Sequence, residues 1–389
     1  MEDTGRGPAI ADFRVELRAW LDANAATLAA PYAAPGTIDE HIAEMQRVKS
    51  LLYEAGWMRY GWPERVGGLG GSPMLRTELG AELAGRGLID PGIYSLVEVL
   101  APTLIDFAPP DLAADVVPRL LSGEEMWCQG FSEPGSGSDL ASLACRAAPQ
   151  GGDPATATHW VINGQKVWTS LAQFSERCVL LTRTGSPESR HRGITAFFVD
   201  MDTPGITVAP IEMINGVLEF AEVFFDDVVV PADRILGEVD GGWAVAMSIL
   251  PYERSSCFWQ RIAYLHRRLE RIVEVAPDDD RSAEVLGQAY LQLHMLRARS
   301  RATQYRLAAG ETLGAETSVD KVLVATTEQT IYDAARRLLP GVAEFDDSVT
   351  GETWRTEYLY SRGATIYGGT AEVQRNIIAR RLLDLGADE

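Results

Sequence analysis

The feature that most constrains this chain is a change of hydrophobic period in its middle. From residue 9 to about 121 the apolar residues recur at helical spacing. Phe13, Leu17, Trp20 and Leu21 form one stripe, and Ile42, Met45, Val48, Leu52 and Ala55 form a second. Pro31, Pro35, the glycine cluster at 67–71, Pro109 and Pro110 mark connections. From about 124 to 235 the pattern shortens to runs rich in Val, Ile, Phe and Thr: CVLLTRT, GITAFFVDM, GITVAPIEM and LEFAEVFFDDVVVP, each bounded by Gly, Pro or Asp. HWVINGQKVWTS reads as two such runs around Asn163-Gly164, a dipeptide suited to a tight hairpin turn. From Gly241 onward the spacing is helical again, in long segments with short links. The expected architecture is α+β and multidomain: an N-terminal helical domain over 1–123, a central β-barrel or sandwich over 124–237, and a C-terminal helical bundle over 238–389. The acidic runs at 277–280 and 341–351 read as solvated loops.

Bulk properties narrow the function. With 35 Lys and Arg against 55 Asp and Glu, the formal charge is −20, which repels a phosphate backbone or an anionic membrane. No apolar run reaches the roughly 20 residues that span a bilayer, and the start MEDTGRGPAIADF lacks the order of a signal peptide, so a cytoplasmic location is expected. The cysteines Cys128, Cys145, Cys178 and Cys257 have no C-x-x-C spacing and are expected as buried free thiols. The scattered histidines give no ligand spacing, so no metal site is expected.

The β-segment opens with WCQGFSEPGSGSDLASL at 127–143, whose glycines and serines present backbone N–H groups and hydroxyls. Taken alone, such a stretch is a surface turn. It is accompanied, in order, by NGQKVWTS at 163–170, VFFDDVVVP at 223–231, GWAVAM at 242–247 and YGGTAEVQRNIIARRLL at 367–383. With these motifs the whole chain resembles the acyl-CoA dehydrogenase family, in particular its actinobacterial branch. The resemblance implies a helical domain, a β-domain and a C-terminal four-helix bundle, with FAD held between the last two. It also implies that Gln129, Phe131 and Ser132 line the flavin, and that Ser138 lies near both flavin and acyl thioester. Trp168 is expected to shield the ring, Thr169 and Ser170 to hydrogen-bond its redox-active edge, and Thr370 and Glu372 to contact the adenosine half. A neutral donor aimed at the ring stabilises charge gained with a hydride, and an aromatic wall excludes water.

Dehydrogenation needs a carboxylate to take the proton α to the thioester. Many relatives place that glutamate before Gly-Thr in the broken helix near the C-terminus. Here the position is Gly368, which leaves it as a substrate-lining backbone position. The long-chain and isovaleryl types carry the base instead on a bundle helix in an L-x-x-E-R context, and ILPYERSS at 249–256 matches that pattern. Glu253 is therefore the expected base and Arg254 a neighbouring substrate-site wall. Ala246, Ile249, Glu253, Ser256 and Gln260 fall on one helical stripe that a ligand could approach. Taken without the resemblance, Glu253 and Arg254 read as a solvated pair.

Two family runs that hold FAD across a subunit interface, R-x-x-F-G and Q-x-x-G-G-x-G, are missing. Arg267, Arg268, Arg271 and Arg281 have no Phe-Gly beside them. The expectation is a homo- or heterotetramer that dehydrogenates an acyl-CoA, or an acyl carrier protein thioester, and passes electrons to an electron-transfer flavoprotein. A flavin monooxygenase of the same fold and a non-catalytic partner subunit are the competing readings.

Overall fold

The computed structural model describes residues 7–29, 37–253, 256–311, 313–346 and 348–386. Six helices come first: α1 (Ile10–Ala23), α2 (Ala25–Leu28), α3 (Ile38–Glu54), α4 (Met74–Arg86), α5 (Pro91–Phe107) and α6 (Pro110–Ser122). Eight strands follow: β1 (Trp127–Gly130), β2 (Arg146–Pro149), β3 (His159–Ser170), β4 (Arg177–Arg183), β5 (Ile194–Asp200), β6 (Ile206–Ile211), β7 (Phe220–Pro231) and β8 (Ile235–Leu236). The chain then returns to helix in α7 (Gly242–Glu253), α8 (Ser256–Val275), α9 (Asp280–Ala308), α10 (Glu316–Leu338), α11 (Val342–Phe345), α12 (Val349–Ser361) and α13 (Ala371–Arg381). Among the described residues no helix is long and apolar enough to cross a membrane.

The chain divides into two compact units. One comprises Met1–Glu64, Gly68–Ser95 and Pro251–Glu389; the other comprises Arg65–Gly67 and Leu96–Leu250. In the first, the N-terminal stripes do what their spacing requires: Phe13, Leu17 and Leu21 of α1 and Ile42, Met45, Val48 and Leu52 of α3 are buried. The start of α3 is closed by a capping box, with Glu40 N donating to Thr37 Oγ1 at 3.3 Å and Thr37 N donating to Glu40 Oε2 at 2.9 Å. A cap of this kind stabilises a helix by about 1 kcal/mol. Further on, Ile262, Leu265, Leu269 and Ile272 of α8 meet Leu293 and Leu296 of α9 and Ile331 and Leu338 of α10 in one core.

The same helices carry a largely buried ionic network. Arg261 donates from Nε and Nη2 to both oxygens of Glu328, at 3.0 and 2.7 Å, and Glu357 accepts from the hydroxyls of Tyr264 and Tyr332 at 2.5 and 2.7 Å. Burial works to raise the Glu357 carboxyl, but Arg261, Arg268 and the two tyrosines outweigh it and hold the group below the ordinary range. Arg268, which the sequence left without a Phe-Gly neighbour, is turned into this network, whereas Arg271 forms an exposed pair with Glu274 at 2.8 Å.

In the second unit the strands form one hydrogen-bonded path, β6-β7-β3-β2-β4-β5-β8, with β1 pairing parallel to β4. Its core packs Trp160, Ile162, Leu180, Phe197, Val223 and Val228 with Cys128, Cys145 and Cys178. All four cysteines are free, and burial pushes the Cys145 thiol up to about 11.

Two local expectations are corrected. Asn163-Gly164 is not a hairpin turn: β3 runs unbroken through it, with a register shift against β7 between Ile162 and Gly164. Gly164 has φ +147°, and a Cβ there would lie 2.7 Å from the Cα of Cys145. The Asn163 side chain bonds Asp227 through both ends, Nδ2 to Oδ1 and Oδ1 to the Asp227 N–H, each at 2.9 Å. The dipeptide thus serves a bulge, because strands on both sides keep the chain extended. The acidic run at 341–351 also carries helix, since α11 and the start of α12 lie inside it, and Asp279 in the run at 277–280 caps α9 by accepting Ser282 N at 2.8 Å.

Candidate active site

Most of the residues expected around the flavin lie on β1, on the loop after it, and at the end of β3. The loop is stitched to the strand from below. Glu133 is 8% exposed and its carboxylate accepts three donors: Ala144 N at 2.6 Å, Cys145 N at 2.9 Å and Lys166 Nζ at 2.7 Å. Lys166, with no exposure at all, also donates to the Phe131 carbonyl at 3.1 Å, and Val167 N donates to the Ser132 carbonyl at 2.9 Å. Reciprocal backbone bonds between Glu133 and Ser136 close the turn, and Ser136 Oγ donates to the Asp139 carbonyl at 2.8 Å. A third tether comes from Arg183, which donates to the carbonyls of Leu143, at 3.2 Å, and Ala141, at 2.6 Å. The serine loop is therefore held by buried charge while its outer side stays open. A Cβ at Gly135 or Gly137 would meet nothing within 4 Å, and Ser138 is exposed.

Past Lys166 the strand bulges, with a register shift against β7 between Lys166 and Thr169. Inside the bulge Trp168 has φ +59°, a left-handed conformation that costs an aromatic residue on the order of 1–3 kcal/mol. The strain turns the indole outward. Trp168 is 58% exposed and makes an edge-to-face contact with Phe220, with ring centroids 6.0 Å apart.

Two polar atoms on these strands are buried without partners among the described residues: Thr169 Oγ1, on a side chain 1% exposed and adjacent to Trp168 in the chain, and Gln129 Oε1 on β1. An unsatisfied buried polar atom costs about 1–3 kcal/mol. Strain at Trp168 and unmet hydrogen bonds at Thr169 and Gln129 fit a bound group that offers a flat face and polar ring atoms, which is what FAD presents. Phe131, Ser132 and Ser170, on the same segments, are half-buried.

The second group of expected residues lies in the C-terminal bundle. α12 ends at Ser361 and continues as a short 3-10 turn over Arg362–Thr365. The backbone then turns left-handed at Gly368 (φ +61°) and Gly369 (φ +91°). This answers why glycines stand there, since any side chain would be strained in both positions. Thr370 restarts the helix by accepting Val373 N on Oγ1 at 3.2 Å, and Gln374 Nε2 reaches back to the Gly368 carbonyl at 3.4 Å. The buried Lys321 on α10 donates to the Ala364 carbonyl and sits 4.3 Å from the centre of the Tyr367 ring, fixing the turn that leads to the glycines. Glu372 is exposed in the first turn of α13, its carboxylate 3.8 Å from Arg375.

Glu253 is the last residue of α7. Its side chain, and Arg254 as a whole, lie outside the described residues. Of their stripe, Ala246 and Ile249 are buried, and Gln260 is packed flat against Gly80 of α4, where a Cβ would meet its Nε2 at 2.5 Å. The expectation that a ligand could approach Gln260 is corrected, because helix packing occupies that position.

Sequence reasoning passed over Glu133, Lys166, Arg183 and Lys321. Glu133 and Lys166 stood inside the quoted motifs SEPGSGSD and NGQKVWTS, and a lysine in a strand otherwise rich in Val and Trp was the available signal.

The chain matches three family models in succession: the acyl-CoA dehydrogenase N-terminal domain over residues 9–124, the middle domain over 128–228 and the C-terminal domain over 240–383. It is 39% identical to acyl-CoA dehydrogenase IpdE1 of Mycobacterium tuberculosis, across 97% of this chain and 98% of that protein. It is 36% identical to IpdE1 of Mycolicibacterium smegmatis at the same coverage. Among solved structures it resembles the Tcur3481-Tcur3483 steroid ACAD, with TM-score 0.82, 25% identity and 100% of both chains covered. It also resembles the ChsE4-ChsE5 complex from Mycobacterium tuberculosis, with TM-score 0.79 and 25% identity over 99% of this chain and 100% of that one. The chain belongs to the acyl-CoA dehydrogenase family, whose members are FAD-dependent oxidoreductases acting on acyl-CoA.

Proposed function

We propose that this chain removes the α-proton and the β-hydride of an acyl-CoA to give the trans-2-enoyl thioester, with Glu253 as the base. The observation that carries the reading is the pairing of strain at Trp168 with the partnerless Gln129 Oε1 and Thr169 Oγ1. FAD, when bound, supplies the acceptor for the hydride that leaves the β-carbon. Gln129, Ser132, Thr169 and Ser170 orient it through hydroxyl, amide and backbone contacts, and Trp168 covers its face against water. Ser138, on the open side of its loop, faces the thioester.

Glu253 receives the α-proton on its carboxylate, and Arg254 forms the adjacent wall. Gly368 gives the substrate room where other family members carry an acid, and Thr370 and Glu372 reach the adenosine half of the cofactor. The electron acceptor is an electron-transfer flavoprotein. The relatives solved as two-protein assemblies support a partner subunit of the same fold that completes the cofactor site, in place of the missing R-x-x-F-G and Q-x-x-G-G-x-G runs.

The test is spectroscopic. Purified protein, alone and with a candidate partner subunit, is expected to carry the yellow absorbance of oxidised flavin and to bleach with a cognate acyl-CoA. Glu253→Gln is expected to keep the flavin and bleach about 10²–10⁴ times more slowly. Unimpaired bleaching by the variant removes Glu253 as base. Oxygen uptake with a hydroxylated product, and no bleaching by any acyl-CoA, replaces the dehydrogenase with the monooxygenase.

A further inference from the structure

Lysine is almost absent from this chain, and where it stands it is enclosed. Of the 35 basic residues only Lys49, Lys166 and Lys321 are lysine, and all three are buried, at 4%, 0% and 2% exposure. Arginine supplies every other basic side chain. A compact ammonium with three donors suits an enclosed point that a planar guanidinium does not fit. Lys166 holds the serine loop, and Lys321 stands behind the turn that carries Gly368. Its ammonium is fixed by the Ala364 carbonyl and by the Tyr367 ring, whose centre lies 4.3 Å away. α10, which carries Lys321, grips the same segment twice more: Gln329 Nε2 donates to the Ser361 carbonyl at 3.1 Å, and Asp333 lies 3.3 Å from Arg362 Nη1. The Tyr367 ring in turn meets that of Tyr360, with centroids 6.2 Å apart, and the Arg261 guanidinium lies 5.6 Å from the centre of Tyr360. A row of cation, ring, ring and cation thus runs from the buried ionic network to the residue before Gly368.

The Gly368 N–H makes no hydrogen bond among the described residues, so the turn offers it to a ligand. We propose that Lys321 is a positioning residue for the dehydrogenation: it holds this turn so that the Gly368 N–H meets the thioester carbonyl, with a buried positive charge behind the donor. As the α-carbon–hydrogen bond breaks, the proton goes to Glu253 and the electron pair moves towards the carbonyl oxygen. A donor fixed in advance and backed by a cation favours that enolate over the neutral thioester. Lys321 acts through Gly368 and Tyr367. The inference rests on the dehydrogenase reading with Glu253 as base, and adds to it the residue that keeps the carbonyl site in shape.

The test uses the flavin-loaded enzyme and a 3-oxoacyl-CoA, which can lose its acidic proton but has no hydride to give. Its bound enolate is read at one fixed pH from the long-wavelength charge-transfer band it forms with oxidised flavin. Lys321→Met is expected to lower the ratio of enolate to neutral ligand about tenfold, and kcat with a true substrate roughly 10–100-fold, while KM changes less than about threefold. Lys321→Arg, which keeps the charge, is expected to recover most of the ratio. A Lys321→Met enzyme with the wild-type ratio and kcat but a lower urea midpoint makes the lysine structural only and overturns the proposal. Wild-type protein that neither gives the band nor bleaches with any acyl-CoA overturns the dehydrogenase reading, and this inference with it. Should Lys321→Met lose its flavin, Lys321→Arg and Tyr367→Leu decide. A wild-type ratio in the first and a lowered one in the second, where the ring that seats the ammonium is gone, support the role; equal ratios overturn it.

Discussion

Lys166 Nζ lies 2.7 Å from Glu133 Oε1, both groups inside the β-unit, and this pair is the charged link among those that tie the serine loop to the strand that carries Trp168. Removing one partner leaves a buried charge uncompensated, a loss of about 3–5 kcal/mol. Lys166→Met and Glu133→Gln are each expected to lower stability by that order in urea titration and to reduce flavin retained through purification. Lys166→Met combined with Glu133→Gln is expected to cost clearly less than the sum of the two, which a double-mutant cycle reads directly. Additive losses would show that the pair is not the link.

Thr169 makes the opposite kind of test. Its hydroxyl is buried without a partner among the described residues, so Thr169→Val removes an unmet hydrogen bond while nearly preserving shape. The flavin-free protein is expected to gain about 1 kcal/mol, while affinity for FAD falls roughly tenfold, a change that fluorescence titration with FAD measures. Loss of stability with unchanged FAD affinity would place the hydroxyl outside the cofactor wall.

The left-handed turn before α13 gives a third. Gly368 at φ +61° and Gly369 at φ +91° cannot take a side chain without strain. Gly368→Ala is expected to cost about 1–2 kcal/mol in urea titration, and Gly369→Ala at least as much. Proteins carrying either substitution at full stability would mean that the turn is not held in this form.

A fourth concerns pH. Burial, helped by the positive charge of Arg297 and by His294, lowers His266 to about 4 from an ordinary value near 6.5. The native state therefore keeps this imidazole neutral where the unfolded chain protonates it. Its contribution is complete above pH 6.5 and is lost as pH falls from there through 4. His266→Gln is expected to flatten the fall of urea midpoint with pH in that window, by up to the effect of one proton. Identical slopes for the two proteins would contradict the burial of the ring.

The sequence carried the fold far because its signals were local. Helical stripes such as Phe13, Leu17 and Leu21 are buried where their spacing requires, and a strand period between two helical periods admits few architectures. Asn163-Gly164 was misread for the same reason: its turn propensity is local, but β2 and β7 pair on either side of β3 and keep it straight. The acidic run at 341–351 was likewise read by composition, although helix can be carried by neighbours that composition does not see.

What the sequence determined by itself is the kind of residue at each motif: glycines for an open turn at 368 and 369, a threonine at 370 to restart a helix, hydroxyls and an indole after Lys166. Tertiary structure decided their state. Glu133 and Lys166 are 33 residues apart, and no spacing rule couples them. The φ of +59° at Trp168 exists only because one strand must match a partner across a bulge. Whether Gln129 and Thr169 are satisfied depends on what packs around them in three dimensions. Hydrogen bonding and burial are sums over neighbours distant in sequence, so the chain can name the groups of a site while only the folded arrangement shows which remain in want of a partner.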